Sequence, residues 1–142
     1  MPPYGEKMSK FLKSDQLEYG DQTITLYELS ALQRIEHLQF IASAAKALPA
    51  DADEETLYPL LVEQDIRQGA RLVAMSLWHA DPANSTVEQL YQDVLSGWPI
   101  TMIGAAARFV KALSDMLPAE QDQPGNPDEA EALTPEKSSP AS

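Results

Sequence analysis

Four runs of apolar residues recur at spacings of three and four, separated by proline and glycine punctuation, and this pattern restricts the chain to a helical bundle. The first run is Leu32, Ile35, Leu38, Ile41, Ala45 and Leu48, ended by Pro49. A stripe this regular predicts a helix with one apolar face, and that face is expected to lie on the core. The second run, Leu60 to His79, carries Ile66, Ala70, Val73 and Leu77 with a further row at Met75 and Trp78. It is apolar over much of its circumference, so it is predicted to be the central helix. Gly69 inside it costs helix propensity and predicts a close helix–helix contact. The third run, Val87, Leu90, Tyr91, Val94 and Leu95, is stopped by Gly97-Trp98-Pro99. The fourth, Ile100 to Leu117, takes Pro99 into its first turn and directs Ile103, Ala106, Ala107, Val110, Leu113 and Leu117 inward, with Arg108 and Lys111 outward.

Local signals mark where these helices begin. Thr25-Leu26-Tyr27-Glu28 has the form of a capping box, in which hydroxyl and carboxylate satisfy each other's backbone amides, and it predicts that the first helix opens there. Ser85-Thr86-Val87-Glu88 is a second such box, ahead of the third helix. The acidic stretch Asp51 to Glu55 suits the positive end of the second helix, where Pro59 is tolerable within the first turn. Before the helices, Gln16 to Tyr19 and Gln22 to Thr25 flank Gly20-Asp21, a two-residue hairpin signal. In that register Leu17 faces Ile24 and Tyr19 faces Gln22.

The two ends differ from the body. Residues 1–10 read as a flexible lead, with Met8 an alternative start. Residues 118–142 hold five prolines, six acids, one lysine and no aromatic residue. Such a segment cannot bury enough apolar surface to offset its ordering entropy, which predicts a disordered acidic tail or linker. The expected fold is therefore mainly α: a compact bundle of about four helices with an N-terminal β-hairpin over residues 11–117, followed by that tail.

Chemistry-bearing patterns are scarce. The chain has no cysteine, which excludes disulfides, thiolate zinc sites and iron–sulfur clusters. His37 and His79 fit no zinc pattern, and His79 near a helix C-terminus suits the dipole there. No nucleophile elbow, Walker-type loop or dinucleotide fingerprint occurs, so neither an enzyme nor a cofactor is expected. A net charge of −12 without a basic cluster argues against nucleic acid, and no apolar run is long enough to span a membrane. With no secretory signal the default compartment is the cytoplasm. What remains is binding to other proteins, with Trp78, Trp98 and Phe109 as candidate partner contacts.

Three strings carry a resemblance: TITLYELSALQRIEHLQF (23–40), IRQGARLVAMSLWH (66–79) and VLSGWPITMIGAAARFVKALSDM (94–116). In order and rough spacing they resemble the minor tail protein G family of lambda-like phages, the tail assembly chaperones, and the closing TPEKSSPAS is similar to that family's Ser-rich end. Two features depart from it: residues 1–7 extend ahead of the usual start, and Glu136-Lys137 stands where the lambda-type sequence has Gly-Lys. The resemblance implies a non-enzymatic protein of the bacterial host cytoplasm that is absent from the finished virion. It implies binding to the tape measure protein, which is kept soluble while tail tube protein polymerises around it. It also implies a longer product made by ribosomal frameshifting, whose extra domain recruits the tube protein, with residues 118–142 as the tether. Self-association into a homo-oligomer is compatible with the amphipathic helices. The alternative reading, an acidic helical regulator of a host protein, calls for carboxylates concentrated on one folded face.

Overall fold

A computed structural model describes residues 11–117, so the expectations for 1–10 and 118–142 lie outside the described residues. Strands β1 (Ser14–Tyr19) and β2 (Gln22–Tyr27) pair antiparallel, with Leu17 opposite Ile24 and Tyr19 opposite Gln22 as the sequence predicts. Gly20 makes the turn at φ +62°, a conformation in which a side chain would be strained. Four helices follow: α1 (Ala31–Ala47), α2 (Glu54–Trp78), α3 (Val87–Gly97) and α4 (Ile100–Leu113).

Helix α2 is the organising element, and α1, α3, α4 and β2 all pack on it. Its buried residues run continuously from Ala70 to Ser76, apart from half-buried Arg71. Around them Leu26 and Leu29, Tyr91 and Val94, and Ile103, Ala106 and Val110 complete the core. Gly69 performs the role predicted for it. A Cβ there would lie 3.3 Å from Ile103 Cγ2 and 3.5 Å from the Ala107 Cβ, so the missing side chain lets α4 approach α2.

Two buried serines fasten the hairpin to the bundle. Ser76 Oγ accepts from the Tyr27 amide (2.6 Å) and donates to the Tyr27 carbonyl (2.9 Å), acting as a one-residue substitute for a third strand. Ser114 Oγ accepts from the Leu29 amide at 3.0 Å. Beyond Ser114, Asp115 takes φ 56°, while the Met116 amide bonds to the Lys111 carbonyl and the Asp115 amide to that of Ala112. This left-handed closure of α4 turns Met116 and Leu117 back toward the bundle.

The helix starts differ from expectation in all four helices. Thr25 does not cap α1. It is paired with Gln16 in the hairpin, and Glu28 instead accepts from the Lys13 amide at 2.9 Å, so β2 continues to Tyr27. The operative capping box is Ser30 with Gln33, five residues later. The cap of α3 is Thr86, while Ser85 Oγ donates to the Asp81 carbonyl. Helix α2 begins at Glu54, capped by Asp53, whose Oδ1 accepts from the Thr56 amide at 2.9 Å. That bond holds the Asp53 carboxyl below its ordinary pKa. Pro59 therefore lies inside α2 rather than in its first turn, at a stretch with no buried residue, where the lost hydrogen bond faces water. Pro99 is the N-cap of α4 rather than its first helical residue.

Candidate docking surface

The largest departure from expectation concerns α1. Its apolar stripe exists, but the core-facing side of the helix is polar. Gln33 and His37, four residues apart, are its buried residues, whereas Leu32, Ile35 and Leu38 are 62%, 52% and 65% exposed. The reason lies in the hydrogen bonds Gln33 makes. Its Oε1 accepts from the Ser30 amide (3.0 Å) and from His79 Nε2 (2.8 Å), and its Nε2 donates to the Met75 carbonyl (2.9 Å). A buried amide is costly when unpaired and nearly neutral when satisfied, so these bonds fix the rotation of α1 about its axis. With Gln33 inward, helical periodicity carries Ile35, Leu38, Ala42 and Ala45 to the far side at spacings of three and four.

Further out the bundle opens. The end of α1 and the start of α2 contain no buried residue and are joined by Gln64 Nε2 donating to the Ala44 carbonyl at 2.7 Å. On this part of α2 Tyr58, Leu61 and Val62 are exposed. Arg71 lies over the Phe40 ring, 5.2 Å from its centre. Full burial of a Leu or Ile side chain is worth about 1.5–3 kcal/mol. Leu32, Ile35 and Leu38 together leave on α1 an apolar face whose covering would be favourable.

Between α1, α2 and α4 lies a cleft of about 500 Å³, with Ile41, Ile66, Leu72 and Ile103 among its walls and Arg108 and Lys111 at its side. His37 lines it, 3% exposed. Burial, reinforced by Lys111 and Arg71, pushes the His37 pKa down to about 4, so the ring is neutral at pH 7. Burial also lowers that of His79. Among the described residues His37 Nδ1 and Arg71 Nε are buried without a hydrogen-bond partner.

The three residues singled out in the sequence are all half-buried. Trp98 caps the C-terminus of α3 and, like Phe109 of α4, packs against the core. Trp78 closes α2 with its ring edge-on to His79, centres 5.1 Å apart. The structure distributes them over three places. Sequence reasoning missed the outward turn of Leu32, Ile35 and Leu38. The available signal was the polar pair Gln33 and His37 at helical spacing on the opposite side. Among the described residues no group of acidic and histidine side chains is placed to hold a metal ion, and no helix is long and apolar enough to cross a membrane.

Residues 10–132 match the family model described as bacteriophage lambda tail assembly chaperone, protein G. Tail assembly protein G of Escherichia phage lambda is 43% identical over 113 residues, covering 75% of this chain and 78% of the relative. Tail assembly protein G of Escherichia phage N15 is 37% identical over 145 residues, covering 93% and 99%. The longer tail assembly protein GT of phage lambda is also 43% identical over 113 residues, which amount to 39% of its length. No solved structure matches the fold.

Proposed function

Because the chain belongs to the family of the bacteriophage lambda tail assembly chaperone, protein G, we propose that it holds the tape measure protein soluble through the outer face of α1 while the tail tube assembles. The observation that carries this reading is the inverted helix, polar Gln33 and His37 inside and Leu32, Ile35 and Leu38 outside. Such a face suits an amphipathic client helix that would aggregate if left uncovered. Trp78 neighbours His79, which is bonded to Gln33 of α1, and so extends the surface at the start of that helix. Trp98 and Phe109 contribute through the frame that positions α3 and α4. The net charge of −12 keeps a complex with an insoluble client dispersed.

The lambda relative GT contains the matched region within a longer chain, which supports a second, frameshifted product of this gene. In this reading the shared body binds the tape measure protein and the added part recruits tube protein. The complex acts in the host cytoplasm and leaves before the virion is complete. No catalytic step is required of it.

Co-expression with the tape measure protein of the same genome tests the assignment. The expected result is tape measure protein in the soluble fraction, co-purifying with this chain. A folded chain whose tape measure protein stays in the pellet, with or without the longer product, would overturn it.

A further inference from the structure

The cleft between α1, α2 and α4 has chemistry that the outer face of α1 does not use. Its walls are apolar, at Ile41, Ile66 and Ile103, but Arg108 and Lys111 flank them. Among the described residues the ion pairs are Lys13 with Asp115 and Arg67 with Glu63, so neither cleft cation is paired with a carboxylate. Among the described residues Asp65 is the one carboxylate lining the cleft. His37, almost wholly buried, lines it with Nδ1 unpartnered, and Arg71 adds positive charge near His37. In a chain of net charge −12, this is a local positive site around apolar walls.

The described residues end at this cleft. The left-handed turn at Asp115 returns Met116 and Leu117 to its lining. The next 25 residues carry six carboxylates against one lysine, and Asp128-Glu129-Ala130-Glu131-Ala132-Leu133 joins three of those carboxylates to their sole leucine. From Leu117 to Leu133 the span even of a coiled chain is about 20 Å, enough to turn back on a neighbouring cleft. We propose that the cleft is the docking site of the chain's own segment 128–133, with Leu133 against the apolar walls and its carboxylates on Arg108 and Lys111. Tethering gives the segment a high effective concentration, so a contact too weak to form between separate molecules is occupied within one. The contact is electrostatic at an open cleft and so is sensitive to salt.

The absence of cysteine allows a direct test on the full chain. Ala130→Cys, carrying a nitroxide, is compared with its reduced form in an amide-resolved NMR spectrum. At low salt the amides of Gly104, Arg108 and Lys111 are expected to lose most of their intensity, independently of protein concentration. The signals are expected to return in high salt and in an Arg108→Glu background, a change at an exposed position that leaves the fold intact. Unaffected cleft amides would overturn the proposal. So would broadening that disappears on dilution, which marks a second copy as the occupant, broadening centred on Ile35 and Leu38, or broadening that survives Arg108→Glu.

Discussion

The side-chain amide of Gln33 donates to the carbonyl oxygen of Met75 at 2.9 Å, and this bond helps decide which face of α1 meets the core. Gln33 is shared between the N-terminal capping box of α1, the body of α2 and His79. A single polar side chain thus orients a helix whose apolar residues would otherwise turn inward.

Replacing that clasp should cost stability although the new residue is more hydrophobic. Gln33→Leu leaves the Met75 carbonyl and the His79 ring without their partner, so a loss of about 1–3 kcal/mol is expected. Urea unfolding measures it. Leu38→Ser, on the exposed face, should change stability by no more than about 0.5 kcal/mol in the same assay.

Ser76→Ala strips both the amide and the carbonyl of Tyr27 of their partner in a part-buried position. A loss of about 2 kcal/mol is expected. The earliest protection to disappear in hydrogen exchange should be that of the hairpin, since Ser76 is one of the ties holding it to α2.

Gly69→Leu forces a side chain into the α2–α4 contact, where even a Cβ lies 3.3 Å from Ile103. Overpacking of this kind costs about 1–3 kcal/mol. Gly104, whose Cβ position meets open space, is the control. Gly104→Ala should stabilise α4 by up to about 1 kcal/mol through helix propensity. Thermal unfolding of the two variants separates the effects.

Acid should weaken the fold before the carboxylates titrate. His37 binds a proton near pH 4 when folded against an ordinary value of 6.5, so the unfolded chain takes up protons first as pH falls. The stabilising contribution is present above pH 6.5 and is lost progressively down to about pH 4. Between pH 7 and pH 5 the loss amounts to about 2 kcal/mol. His79, also lowered by burial, adds a change of the same sign. Denaturant unfolding of wild type and His37→Asn at the two pH values checks it, and the variant should show the flatter profile.

The register of the hairpin was legible because Gly20-Asp21 fixes it and leaves Leu17 opposite Ile24, but its length was not, since the strands extend to Ser14 and Tyr27. The stripes of α3 and α4 were legible because their apolar side and their buried side coincide at Tyr91, Val94, Ile103 and Val110. Helix α1 was legible as a helix but not in its facing. A stripe at Leu32, Ile35 and Leu38 reports that something must cover it and does not say whether that is the core or another chain. Its start was missed because Thr25-Glu28 and Ser30-Gln33 are both capping signals a few residues apart. The choice between them rests on the strand pairing of Thr25 and on Ser76, a residue 49 positions beyond Tyr27. The cleft was not legible at all, since it depends on how α1, α2 and α4 meet.

The most direct test of the account is co-purification of the tape measure protein with Ile35→Ser/Leu38→Ser, set against wild type. The variant is expected to melt as wild type does yet to leave the tape measure protein insoluble. A variant that folds normally and still carries the tape measure protein into the soluble fraction would contradict the claim that the outward face of α1 is where the client is held.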